Sequence, residues 1–199
     1  MMTTNSNRKS SHPRYHRDYY KALYQAALTI SSSLELDQVL QSIVKSITEA
    51  MQVKACGLRL LDPDAGQLRL STVYGLSESY LAKGPVSITL SQIDSDALNG
   101  TPVFIADART DSRFQYQDAA REEGLVSILC VPLEVHGKAI GVLRVYTNEP
   151  TEFVEDDVQF LSVLASLAAL AIENARLYEG VRSSYHGVMT ALWGGNVTV

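Results

Sequence analysis

"SILCVPLEVHGKAIGVLRVY", residues 127–146, decides how the rest of the chain is read. Two apolar runs flank His136 and Gly137. In the first, Ile128 and Cys130 alternate with Leu129, Val131 and Leu133; in the second, Ile140 and Val142 alternate with Leu143 and Val145. Both faces of both runs are apolar, the pattern of a central hairpin covered on two sides. Gly137 supplies the positive φ that a tight turn needs. Cys130 then reads as a small hydrophobe in a core. A reactive thiol needs a nearby cation or a helix N-terminus to lower its pKa, and the neighbours in its own strand offer none. Cys56, alternating with Leu58 and Leu60, reads the same way, and His136 and Lys138 read as solvated turn residues.

Upstream, "RDYYKALYQAALTISSS" places Leu23, Ala27, Ile30 and Leu34 at helical spacing, interrupted at Ser31 to Ser33. Leu36, Val39, Leu40, Ile43, Val44, Ile47 and Met51 form the stripe of a second helix, with Asp37 near its start. "KACGLRLLD" and "QLRLSTVYG" are two strands around the turn "PDAG", a first hairpin. The middle is less regular. It holds a helical turn at "SESYLAKG", an extended link "PVSITL", and a helix in "SQIDSDALNG" opened by Ser91 and closed by Gly100. A short strand "TPVFIAD", a polar loop and a helix ended by Gly124 follow. After the central hairpin a single long helix runs from Phe153 to Trp193, its first turn acidic through Glu155, Asp156 and Asp157. Short turns between adjacent strands predict a mostly antiparallel sheet with the terminal helices on one face, an α+β architecture.

With 46% apolar and 20% charged residues in 199, a substantial core is expected and wholesale disorder is not. A net charge of −5 argues against a general nucleic-acid binder. Arg8, Lys9, Arg14 and Arg17 make residues 1–17 a basic, polar segment, read as a flexible tail. No apolar segment of signal-peptide type follows it, and "LSVLASLAALAI" is shorter than the roughly 20 residues a bilayer requires. Two cysteines make no disulfide framework. The expectation is a cytoplasmic protein that binds neither nucleic acid nor membrane.

Catalytic signatures are missing from the sequence: it holds no G-x-G-x-x-G, P-loop, H-E-x-x-H, EF-hand loop or G-x-S-x-G. Ser42 to Lys45 matches S-x-x-K, but mid-helix and without companion motifs. His12, His16, His136 and His186 make no metal-ligand cluster. No residue is therefore assigned a catalytic or metal-binding role.

The segment from Leu34 to Leu76, the "TPVFIADARTDSRF" loop and the segment from Gly124 to Glu179, at their mutual distances, together resemble the GAF-domain family, small-molecule sensory modules of signalling proteins. The resemblance covers about residues 20–179 and sets domain limits of 18–179, with 180–199 as an extension of the last helix and a tail. It implies a six-stranded antiparallel sheet with helices on one face and, on the other, a pocket roofed by residues 75–124. Under that resemblance Tyr74, Phe104, Asp107, Arg113, Phe114, Tyr116 and Leu129 are the candidate lining positions. The cofactor and ligand are unknown. Phe153 with Asp157 matches the end of the signature of cyclic-nucleotide-binding members, but Val158 follows where they carry Glu. Neither cysteine precedes a histidine, as it does in bilin-binding members. Members that reduce methionine sulfoxide use further cysteines.

The last helix carries a 4,3 repeat: Val163, Leu167, Leu170, Asn174, Leu177, Val181, Ser184 and Val188. That is a coiled-coil seam, with Asn174 of the kind that fixes two-stranded register. A parallel homodimer through Leu167, Leu170, Asn174, Leu177, Val181 and Val188 is expected. The first helix could complete a four-helix bundle. The reading is a non-enzymatic regulatory module that senses an unknown small molecule and signals through the paired helix, to a partner signalling protein or by the dimer itself. The alternatives are a small thiol-dependent reductase of free methionine sulfoxide, or a dimerisation scaffold with an unused pocket.

Overall fold

The computed structural model describes residues 13–32 and 35–193, with side chains over 18–30 and 35–182. Six strands form one sheet in the order β3-β2-β1-β6-β5-β4. They are β1 (Ala55–Asp62), β2 (Gln67–Tyr74), β3 (Val86–Ser87), β4 (Val103–Ile105), β5 (Ile128–Val135) and β6 (Lys138–Tyr146). Every pairing is antiparallel. Helices α1 (Pro13–Ser32), α2 (Leu36–Met51) and α6 (Glu155–Trp193) cover one face; α3 (Glu78–Leu81), α4 (Gln92–Leu98) and α5 (Gln117–Glu123) lie over the other.

The opening hairpin is the centre of this sheet. Val135 pairs with Lys138 across a two-residue loop, and His136 (φ 50°) and Gly137 (φ 74°) both lie in the left-handed region. That is the I′ geometry that matches strand twist. Two cores follow from the alternation. Leu129, Val131, Leu133, Leu143 and Val145 face the helices, joining Leu40, Ile43, Val44, Ile47, Leu161 and Leu164. Ile128, Cys130, Val142 and Tyr146 face the roof, with Ile93, Ala97, Ile105, Phe114 and Leu125. Each large apolar side chain so buried contributes about 1.5–3 kcal/mol.

Four expectations shift. α1 begins at Pro13, where proline's missing N–H costs nothing, so the helix reaches into the segment read as a tail; the rest of that tail lies outside the described residues. Ser91 does not cap α4 with its side chain; its hydroxyl is engaged elsewhere, as shown below. The extended link contributes a sixth strand of two residues only, Val86–Ser87. The stretch Glu155–Arg182 is long and apolar enough by length and composition to cross a bilayer, which its run at 161–172 taken alone is not. In the fold, Phe160, Leu161, Leu164, Ala165, Ala168, Ala169 and Ile172 of that stretch are buried in the helix-side core.

Candidate functional site

Beneath the roof the sheet presents charge instead of hydrocarbon. Arg59 of β1 and Arg144 of β6 both occupy roof-facing positions, as the register shows: Arg59 pairs with Val142, and Arg144 with Gly57 and Cys130. They are diagonal neighbours on one face. Their exposures are 3% and 1%. Buried ions of this kind carry a solvation penalty unless paired. Arg144 is paired: its Nη2 donates to Asp94 Oδ2, and Asp94, on α4, is wholly buried. The Ser91 hydroxyl donates to the same Oδ2 at 2.5 Å. Arg59 makes no side-chain hydrogen bond or ion pair among the described residues.

Aromatic rings line the same space. Tyr80 meets Tyr146 edge-on with centroids 6.3 Å apart, and the Arg144 guanidinium carbon lies 5.8 Å from the Phe114 ring centre. Lys83 Nζ sits 3.2 Å above Tyr80 and 5.4 Å from the Tyr116 centroid. Burial, then the charges of Arg59 and Arg144, lower the Lys83 amine from its ordinary range to about 6. Burial pushes the Tyr80 hydroxyl well above its ordinary value. Three buried polar atoms here are without a hydrogen-bond partner: Tyr80 Oη, Asp94 Oδ1 and Arg144 Nε. Native interiors tolerate few such atoms, and each costs about 1–3 kcal/mol. Two guanidinium groups against one carboxylate leave this buried layer between sheet and roof with an excess of positive charge.

The lining positions implied by resemblance divide three ways. Phe114 and Tyr116 fall on the roof side; Phe114 is buried, and the Tyr116 hydroxyl donates to the Pro85 carbonyl at 2.7 Å. Tyr74 and Leu129 belong to the opposite side, packed in the helix-side core. Phe104 shares the face of its partner Leu129 and meets Phe153 edge-on at 5.8 Å. Asp107 and Arg113 do not pair with each other. Asp107 accepts from Arg109 Nη2 at 2.7 Å, which holds its carboxyl down at about 2. Arg113 Nη2 instead pairs with Asp111 at 2.6 Å. Arg113 and Phe104 do meet, in a surface cleft of about 360 Å³ at the β4 edge lined also by Asp96, Asn99, Thr101, Pro102 and Val103.

Arg59, Lys83, Tyr80, Asp94, Arg144 and Tyr146 escaped the sequence reading. The signal was present: Arg59 and Arg144 sit at core-facing parity inside "GLRLL" and "VLRVY", and Asp94 follows Ile93 within a helix that must bury one face.

Both thiols are fully buried, and burial raises each well above its ordinary pKa. One expectation changes: Cys130 does have a cation across the strand, Arg144, and the Arg59 charge works to lower its pKa. Desolvation is the larger effect. Among the described residues no group of three His, Cys, Asp or Glu is placed to hold a metal.

A six-stranded antiparallel sheet with long helices behind it and a short-helix roof in front is the architecture of a GAF domain. The GAF-domain family model matches residues 35–172, and the chain belongs to that family, whose members are typically sensory or regulatory modules. It is 25% identical over 150 residues to the nitrogen fixation protein VnfA of Azotobacter vinelandii, covering 72% of this chain and 28% of VnfA. The chain thus spans under a third of that relative. Among solved structures, the GAF domain of a phosphoenolpyruvate-protein phosphotransferase from Coxiella burnetii superposes with TM-score 0.73 at 24% identity, covering 82% of this chain and 98% of that one. A free methionine-R-sulfoxide reductase from Neisseria meningitidis, in complex with its substrate, superposes with TM-score 0.69 at 20% identity, over 85% and 96% of the two chains. These two likenesses show the fold.

Proposed function

We propose that this chain is a non-enzymatic regulatory module that binds a small molecule in the chamber between sheet and roof and transmits occupancy through α6. The observation that carries the reading is the buried polar constellation of Arg59, Arg144, Asp94 and Tyr80, with three orphaned atoms. A buried polar layer that costs stability, leaving one guanidinium unpaired and the other only partly satisfied, is the mark of a site held ready for a ligand. The output side rests on α6. Val163, Leu170, Leu177, Val181 and, beside them, Asn174 are exposed, while Leu167 turns partly into the core. Val188 lies outside the described side chains. Tyr20, Tyr24 and Leu28 of α1 add a second exposed stripe. Contiguous exposed apolar stripes mark interaction surfaces, and in this reading a parallel homodimer covers them. A ligand shifts such a pair only by its differential affinity for two states.

Native mass spectrometry of the purified protein, with an absorption spectrum, tests both halves. A dimer carrying a small molecule supports the reading; a monomer at micromolar concentration removes the output mechanism.

The likeness to a sulfoxide reductase favours one rival, since Cys130 faces the chamber. Two buried thiols held protonated are poor nucleophiles. The expected outcome is no reduction of free methionine sulfoxide by wild type. Turnover that is lost in Cys130→Ala or Cys56→Ala would establish the reductase instead.

A further inference from the structure

We propose that the chamber takes a small carboxylate with an apolar body, which engages Arg59 and Arg144 in competition with Asp94 and so releases α4 from the sheet. This rests on the reading of the chamber as the module's ligand site.

The ion pair between Asp94 and Arg144 joins two layers of the molecule. Arg144 belongs to the central strand β6, and Asp94 to the roof helix α4. The pair therefore acts as a latch, reinforced by the Ser91 hydroxyl on the same carboxylate oxygen. The latch is incomplete. Asp94 Oδ1 and Arg144 Nε each lack a partner, so the pairing engages one carboxylate oxygen and leaves a donor of the guanidinium fork idle. A free carboxylate placed between Arg59 and Arg144 would satisfy the idle Nε and the unpaired Arg59 together, in the bidentate geometry that guanidinium favours.

Charge points to a monoanion. Two guanidinium groups against one aspartate leave one positive charge uncompensated, which one carboxylate balances. Lys83 stands at the margin, over Tyr80, and an added anion favours its protonated form. Glu123 does not fill the role: Lys54 lies 3.4 Å from its carboxylate, and the Ser77 hydroxyl donates to it. Tyr80, Tyr146 and Phe114, buried around the ion pair, would give the remainder of the molecule apolar walls once the roof lifts. The roof is suited to open. Its helices have 4, 7 and 7 residues and are joined by loops, the kind of segment that opens at low cost.

The test measures thermal unfolding, calorimetric binding and amide hydrogen exchange on the full chain and on Arg59→Gln and Asp94→Asn. The probes are acetate, benzoate and succinate, against benzamide and inorganic phosphate. Arg59→Gln folds and melts higher than wild type in the absence of any probe, because it removes an unpaired buried cation. At least one carboxylate raises the wild-type melting temperature and speeds exchange in α4, whereas benzamide does neither. Asp94→Asn, lacking the competitor but retaining a hydrogen-bonding group, binds that carboxylate about tenfold tighter or more, and Arg59→Gln about tenfold weaker or more, the scale of a charge-assisted hydrogen bond. Silence from all three carboxylates in both wild type and Asp94→Asn overturns the proposal, as does a response unchanged in Arg59→Gln. Stabilisation by phosphate alone also overturns it. If benzamide, a neutral probe, binds and protects the roof while the carboxylates do not, the carboxylate is refuted and the regulatory reading survives.

Discussion

Lys83 titrates where few lysines do. In the unfolded chain it holds its proton to about 10.5, but in the fold it releases it near 6. Burial is the main cause, followed by the facing charges of Arg59 and Arg144; Glu123 opposes them, and the rings of Tyr80 and Tyr116 offer the ammonium a partial return. Between those two values unfolding takes up a proton, so this residue makes stability rise with pH from about 6 towards 10; below 6 its penalty is fully present. Lys83→Met should flatten that rise, read as the difference between variant and wild-type urea midpoints across pH 6–10. Identical pH profiles would refute it. Gly141 carries a second residue-scale prediction. A Cβ there would lie 2.1 Å from the Arg59 carbonyl oxygen and 3.1 Å from Leu60 Cα, with no flexible side chain to yield. Gly141→Ala must push β6 from β1, costing about 2–3 kcal/mol by overpacking. Because the displaced backbone is that of Arg59, the same variant should weaken whatever the chamber binds. A urea midpoint unchanged from wild type would refute the clash.

At the scale of elements, α6 serves two masters. Its early turns bury Phe160, Leu161, Leu164, Ala165, Ala168 and Ile172 against the sheet and α2. On the other side Val163, Leu170 and Leu177 recur every seven residues and stay exposed. One periodicity in the sequence therefore contains two stripes, and the residue that distinguishes them is Leu167, read as seam but partly turned into the core. Leu170→Glu with Leu177→Glu should convert a dimer to a folded monomer, with circular dichroism unchanged and light scattering reporting half the mass. A wild-type protein already monomeric, or a double variant that stays dimeric, refutes the interface. The central hairpin shows the opposite case, in which local pattern sufficed. Gly137 foretold the turn, and two apolar faces foretold cover on both sides. The unforeseen detail was His136, which also takes a positive φ at some local cost.

For the whole molecule, the amino-acid sequence alone determined the strand and helix order, the antiparallel sheet, the helical layer behind it and the family, because hydrophobic periodicity and turn chemistry are local and survive without tertiary information. It did not determine the site. Of the lining positions the resemblance implies, Tyr74 and Leu129 lie on the helix side, and Asp107 and Arg113 are each held by a neighbour in their own loop, Arg109 and Asp111. Alternation divides a strand into two faces but does not say which face lies under the roof, and a shift such as the one between Leu58 and Arg59 re-phases the pairing with β2. Only the tertiary structure brought Arg59, Arg144, Asp94 and Lys83 together, from four separated segments, into a space where water is scarce. There, burial and mutual charge, neither a property of any single segment, turn ordinary surface residue types into a buried, incompletely satisfied polar cluster.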